Sequence, residues 1–313
     1  MTLQWYPGHM TKARRELAER MPSQDVVLEV LDARLPGASS NPLISELRGA
    51  KPCIKVLAKS DLADPAVTRA WVLHLETEPG VAAFASTTER PQATRKRIAE
   101  LCRGLAHYRG PDKPVRALIA GVPNAGKSTL INMLTGRAVA KVGDKPAVTK
   151  EQQAVTLANG MRITDSPGLM WPKVEDETAA FRLAMAGSIP DTAIDYLTIG
   201  MFGARFLLER YPGLVVARYK LSVTPPAAEA LLAEIGRRRG GLRKGGTVDL
   251  HKAAEILVHE FRAGVMGPIS LEAPPIGKAV AGGVGEIGQD GTQEPRLAPV
   301  SPVPPGSRSR VRS

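Results

Sequence analysis

The sequence predicts an α/β fold: a largely parallel sheet with helices on both faces, followed by a smaller all-helical region. Three observations carry this expectation. Short apolar runs at residues 26–31, 53–58, 81–85 and 115–120 are separated by polar stretches long enough to hold a helix, the pattern of buried parallel strands. The last run leads into Gly121-Val-Pro-Asn-Ala-Gly126-Lys127-Ser128, a glycine loop of the strand-loop-helix type. Beyond about Asp176 the β signal fades and apolar residues recur at helical spacing.

In chain order, Met10, Ala13, Leu17 and Met21 stand three to four apart with Arg14, Arg15, Glu16 and Arg20 between them, which predicts an amphipathic helix. The four strand runs follow. Between residues 152 and 164 two short runs flank Asn159-Gly160, a dipeptide that favours a type I′ hairpin, so one antiparallel pair is expected there. In the second half, Leu250, Ala254, Leu257 and Phe261 mark one face of a long helix, Pro225-Pro226 suits a helix start and Gly240-Gly241 a stop. From Ala273 the chain is rich in Gly and Pro and has no aromatic residue; it buries too little apolar surface to offset chain entropy, and a disordered tail is expected. The resulting division is 1–176, 177–272 and 273–313, with no repeat of solenoid type.

A chain of 313 residues has room for about two domains. No apolar stretch approaches the roughly 20 residues of a bilayer span, and the first ten residues lack the pattern of a secretory signal, so no membrane association is expected. Two cysteines, Cys53 and Cys102, offer neither a disulfide framework nor zinc spacing and fit a reducing cytoplasm. The net charge of +11 suggests a polyanionic partner such as nucleic acid, although composition alone leaves an ordinary basic enzyme equally open. Two stretches concentrate it: residues 90–116 hold eight basic and two acidic residues, and residues 237–244 hold five basic residues and no acid.

The chemistry is concentrated in loops after the apolar runs. G-x-x-x-x-G-K-S lets backbone N–H groups converge on phosphates at a helix N-terminus, with Lys127 on the β/γ oxygens and the Ser128 hydroxyl on Mg2+. Pro123, Asn124, Ala125, Gly126 and Thr129 complete the phosphate loop. Asp165-Ser-Pro-Gly168 follows another apolar run, so a carboxylate stands at a strand end where it can join the Mg2+ shell, and Gly168 lets a backbone N–H approach a γ-phosphate. Ala58-Lys59-Ser60-Asp61 ends the second run; Asp61 can accept two hydrogen bonds from guanine N1–H and its amine, which adenine does not offer. This is the N-K-x-D element of GTPases with Ala58 in place of Asn. Ser86 and the Thr87 backbone N–H are candidates for a second guanine contact. Thr149, in Lys145-Pro-Ala-Val-Thr149-Lys150, is the candidate switch threonine that closes on Mg2+. Because Asp61 precedes Gly121, the order predicts a circularly permuted P-loop GTPase sheet.

Together QWYPGHMTKARRE, LDARLPGASSNP, AKSD, GVPNAGKST, PAVTK, DSPGLMWPK and GGTVDLHKAAEIL resemble the ribosome biogenesis GTPase A family (RbgA, also called YlqF) over residues 1 to about 272. The resemblance implies a monomer that hydrolyses GTP on a late precursor of the large ribosomal subunit, contacting its rRNA through the helical domain. It also implies that Leu169 replaces the usual catalytic glutamine, that His9 positions the attacking water, and that Asn124 helps hold K+. Ala58 and Ala147 depart from the family pattern. Phe202, Phe206 and Tyr211 are expected in the core, and Trp171 as an exposed contact. Other readings stay open: a P-loop ATPase or kinase, a permuted GTPase acting on another RNA particle, and a nucleotide-ordered RNA-binding scaffold.

Overall fold

The structure, a computed structural model, describes residues 8–110, 113–138, 154–171, 176–243 and 245–275, with side chains from Met10 onward. The four apolar runs form β1 (Val26–Asp32), β2 (Cys53–Ala58), β3 (Val81–Ala85) and β4 (Arg116–Ala120). With β5 (Ala154–Thr156) and β6 (Arg162–Asp165) they build one six-stranded sheet in the order β3-β2-β1-β4-β6-β5, parallel throughout except where β5 meets β6. Every residue of β1 and β2 is buried, which requires cover on both faces and explains why these runs show no polar alternation. The one charged pair inside them, Glu29 on β1 and Lys55 on β2, lies in register, with the ammonium 3.7 Å from Glu29 and 3.2 Å from Glu78.

The helices between and beside these strands are α1 (Gly8–Arg20), α2 (Pro36–Ser39), α3 (Pro42–Arg48), α4 (Pro65–Leu75), α5 (Pro91–Leu105) and α6 (Lys127–Thr135). In α1 the predicted face, Met10, Ala13, Leu17 and Met21 just beyond its end, is buried. α4 packs Val67, Trp71 and Leu75 against Leu31, Leu57 and Ala83 from three neighbouring strands. The order of strands reverses at β1: β2 and β3 lie on one side, β4 and β6 on the other. A parallel sheet opens a crevice at the carboxyl ends of the strands at such a point.

The hairpin between β5 and β6 forms, with a different turn from the one expected. Gly160 N–H donates to Leu157 O (2.9 Å), Leu157 N–H donates to Met161 O (2.8 Å), and only Gly160 has positive φ (+81°). A type I′ turn needs positive φ at both central residues. Asn159 instead keeps negative φ and accepts the Met161 N–H on its side chain, so the turn is type I closed by a glycine in the left-handed region.

After Asp176, whose side chain caps it, α7 (Glu177–Met185) opens the helical region, followed by α8 (Tyr196–Arg210), α9 (Pro212–Tyr219), α10 (Ala228–Arg239) and α11 (Leu250–Arg262). α8 and α11 cross closely because Gly200 faces Ala254: a Cβ on the glycine would lie 2.4 Å from the alanine Cβ. On α11, Ala254, Leu257 and Phe261 are buried as predicted, and Leu250 packs at the edge. Phe206 and Tyr211 are half-buried against the core, as expected for packing residues, and half-buried Phe202 lies against the Phe181 ring, their centroids 5.3 Å apart. Trp171, expected to be exposed, is also half-buried against the core. The apolar core is continuous from the sheet into these helices. Residues 269–272 then return to the sheet: Ile269 N–H donates to Leu62 O, Leu271 N–H to Arg34 O, and Trp71 Nε1–H to Glu272 O. Among the described residues no helix is long and apolar enough to cross a membrane.

Candidate nucleotide-binding site

The loop from Gly121 to Gly126 joins β4 to α6 at the crevice beside β1. Its first glycine is needed for contact: a Cβ on Gly121 would lie 2.4 Å from the Val30 carbonyl oxygen. Pro123 and Ala125 are buried, and Ser128 and Thr129 lie half-buried in the first turn of α6. Lys127 folds back over the loop, its ammonium donating to Gly121 O (3.1 Å) and Val122 O (2.8 Å). Burial lowers this ammonium to about 8, with the Asp165 carboxylate opposing the shift.

Asp165 ends β6 beside Ile119 of β4. Burial raises its carboxyl to about 6, against the pull of Lys127 and the Ser166 N–H. Its Oδ1 is buried without a hydrogen-bond partner among the described residues. A buried carboxylate oxygen without a hydrogen-bond partner is costly unless something occupies the site. Mg2+ fits that oxygen, since it takes hard oxygen ligands and would take Asp165 and the Ser128 hydroxyl here. Thr149 lies outside the described residues. Gly168 lies against the phosphate loop, where a Cβ would stand 2.9 Å from Pro123 Cα. Leu169 N–H then donates to Gly121 O (3.2 Å), and its carbonyl accepts from Asn41 Nδ2 (2.7 Å).

Lys59, Ser60 and Asp61 leave the end of β2. Lys59 has left-handed backbone (φ +58°), and its ammonium donates to Asp32 Oδ2 (2.9 Å) and to the Asn124 carbonyl of the phosphate loop. Ser60 donates through both N–H and hydroxyl to Ser86 O, joining the loops after β2 and β3. Ser86 is buried and hydrogen-bonded to Thr94, Thr87 is half-buried, and Asp61 is exposed in the one-turn helix of residues 60–62. The Ala58 methyl faces the phosphate loop, 3.2 Å from the place a Cβ on Gly126 would take.

Five strand-end loops thus meet at one edge of the sheet. The His9 side chain and Thr149, two expected participants, lie outside what the structure describes. Asn124, expected at a cation, donates through Nδ2 to Gly187 O (2.8 Å), just after α7. Three residues were not foreseen. Asp32 accepts Lys59 and Arg34, Arg34 is buried beside it, and Asn41 tethers Leu169. Asp32 had a local signal, because it ends an apolar run just as Asp165 does.

A family model described as 50S ribosome-binding GTPase matches residues 116–194. The chain is 40% identical to ribosome biogenesis GTPase A of Bacillus licheniformis, over 88% of this chain and 99% of that relative. It is 32% identical to mitochondrial ribosome-associated GTPase 1 of Mus musculus, over 86% of this chain and 89% of that protein. Its fold is similar to a crystal structure of GNP-bound YlqF from T. maritima, with a TM-score of 0.60 and 29% identity over 84% of this chain and 99% of that one. With identity of this level running along most of its length, the chain belongs to the ribosome biogenesis GTPase A family.

Proposed function

We propose that this protein binds GTP in the strand-end crevice, hydrolyses it while engaged with a precursor of the large ribosomal subunit and its rRNA, and thereby promotes maturation of that particle. Family membership supports the GTPase activity, and the names of the relatives support a ribosomal partner. The observation that carries the reading is a buried, loop-wrapped Lys127 within electrostatic reach of Asp165, whose Oδ1 has no hydrogen-bond partner among the described residues. That arrangement suits a polyphosphate with Mg2+.

In this reading Lys127 holds the β/γ oxygens, while Ser128, Thr149 and Asp165 hold Mg2+, which would supply charge neutralisation at the phosphates. The main chain of residues 123–129 and the Gly168 N–H line the phosphates. Asp61 recognises guanine, Lys59 and Ser60 brace it, and Ser86 with the Thr87 N–H closes over the base. Leu169 has no group to orient water, and the family resemblance assigns that task to His9. Asn124 is the candidate ligand for K+. Residues 1–176 act as the permuted GTPase unit, residues 177–272 as the rRNA-binding unit and residues 273–313 as a tail, in a monomeric cytoplasmic protein.

Sedimentation with ribosomal subunits in GDP and in a non-hydrolysable GTP analogue tests this directly. Co-sedimentation with the large-subunit particle, stronger with the analogue, is expected; absence from both particles in both states removes the ribosomal reading. For the nucleotide, Asp61→Asn should exchange guanosine for xanthosine diphosphate binding, and an unchanged preference would remove the guanine assignment. His9→Ala should slow particle-stimulated phosphate release while nucleotide affinity is kept.

A further inference from the structure

The Asp32 carboxylate is buried, and two cations share it. Arg34 Nε donates to Oδ1 (2.9 Å) and Nη2 to Oδ2 (2.8 Å), a bidentate fork, while Lys59 Nζ takes Oδ2 at 2.9 Å. Lys59 also reaches the Asn124 carbonyl, so this one carboxylate fixes the loop that bears Asp61 against the phosphate loop. Asp32 itself ends β1, in register with Ala58 of β2.

Arg34 has a second set of partners. Its Nη1 donates to the Phe261 carbonyl (3.3 Å) and lies 3.5 Å from the Arg262 carbonyl, and its guanidinium lies over the Phe261 ring at 4.8 Å. These carbonyls belong to the last turn of α11, where the helix dipole favours a cation, and the Phe261 carbonyl accepts the Gly264 N–H (3.0 Å) as well. Arg262 continues the connection by donating to Ala184 O (2.9 Å) and Met185 O (3.1 Å) at the end of α7. Gly187, two residues on, receives the Asn124 amide from the phosphate loop. The contacts form a ring: guanine loop, Asp32, Arg34, end of α11, end of α7, phosphate loop.

We propose that Arg34 is a positioning residue for guanine-nucleotide binding, which sets the Lys59–Asp61 loop through Asp32 and makes its geometry depend on the seating of α11. Arg34 does not touch nucleotide; it acts through Lys59. A buried guanidinium whose fork is divided between a carboxylate and helix carbonyls has no equivalent in lysine, which carries one point charge and no fixed plane. Because linkage is reciprocal, nucleotide that tightens the loop also tightens the end of α11, and whatever engages the helical region changes nucleotide affinity by the same factor. This deepens the nucleotide reading above and rests on Asp61 being the guanine contact.

The test uses the full chain. In wild type, saturating GDP should slow hydrogen exchange at the amides of residues 261–265; unchanged exchange there overturns the coupling. Arg34→Lys should weaken GDP binding by about tenfold and Arg34→Met by more, with turnover at saturating GTP reduced by less than about threefold. Phe261→Leu, which leaves the fork on Asp32 intact, should weaken GDP binding by a few-fold and serves if the Arg34 variants do not fold. GDP affinity within about twofold of wild type in these folded variants, with only the melting temperature lowered, would show a purely structural role. Failure of the guanine reading looks different: wild type would then bind GDP no better than ADP, whereas failure of the coupling leaves that preference intact.

Discussion

Asn41 Nδ2 donates to the Leu169 carbonyl across 2.7 Å, tying the N-cap of α3 to the loop that carries Gly168. The same side chain accepts the Leu43 N–H through Oδ1, and the Asn41 N–H donates to Glu29 on β1. One buried amide therefore holds the Gly168 loop to the rigid centre of the sheet. Asn41→Asp keeps the capping oxygen and replaces the donor that faces Leu169 by an acceptor. It should reduce single-turnover GTP hydrolysis by about tenfold, since a loop displaced by a fraction of an ångström loses its alignment. GDP affinity should stay near wild type. Asn41→Ala should in addition lower stability by about 1–2 kcal/mol through the lost cap. Hydrolysis at the wild-type rate in Asn41→Asp would show that the tether has no part in turnover.

The Lys127 and Asp165 shifts make a signed prediction for the protein freed of nucleotide and Mg2+. Between its ordinary 3.8 and about 6, Asp165 keeps its proton in the folded protein while the unfolded chain has lost it, so stability falls as pH rises through that window. Lys127 loses its proton near 8 when folded but near its ordinary 10.5 when unfolded, so stability recovers as pH rises through that range. Together they place a stability minimum between about 6 and 8. In EDTA, Asp165→Asn should therefore gain on wild type by on the order of 2 kcal/mol between about pH 5 and pH 7. Mg2+ with GDP should stabilise the wild type only. Melting curves across this range check it, and a difference between the two proteins that does not change with pH would contradict it.

The sheet was legible because β1 and β2, covered on both faces, reduce to plain apolar runs, and because each strand-end loop follows its run directly. The hairpin turn was legible only in position: Asn159-Gly160 suits both turn types, and the choice depends on which residue takes positive φ. The roles of Arg34 and Asn41 were not readable, although both stand in the run LDARLPGASSNP. Their long-range partners, Phe261 and Leu169, are 227 and 128 residues away, and a buried arginine is indistinguishable in sequence from an exposed one. Charge counting met the same obstacle, since it records cations and not their partners.

Ala58 gives a test of the departure from N-K-x-D. Its methyl faces the phosphate loop beside Gly126, which itself has positive φ (+114°), and an asparagine there would place an amide between the two loops. Ala58→Asn should tighten GDP binding about fivefold, the worth of one further hydrogen bond of about 1 kcal/mol. Calorimetric titration reads this, and weaker binding would mean that the alanine is required by close packing against the loop.

The two basic stretches differ in what they leave for RNA. In the second, Arg237 and Arg238 both bond Glu234, Arg239 lies 3.6 Å from Glu260 and against Tyr219, and Arg243 bonds Asp249 at 3.0 Å. Four of those five cations thus already have carboxylate partners outside the stretch. In the first stretch Arg109 and Arg116 pair with Asp25, and Arg95 donates to Met133 O. Lys96, Arg97 and Arg103, all on α5, are exposed, and no ion pair joins them to a described residue. Cations that already hold a carboxylate release fewer counterions on meeting a phosphate. Replacing Lys96, Arg97 and Arg103 together by alanine should flatten the salt dependence of rRNA binding by about two units of log–log slope, whereas replacing Arg237 and Arg238 should change it by less than about one. GTP turnover without ribosomal particles should be unaffected in both. Equal losses of slope in the two variants would restore the simple charge count, in which every cation contributes alike.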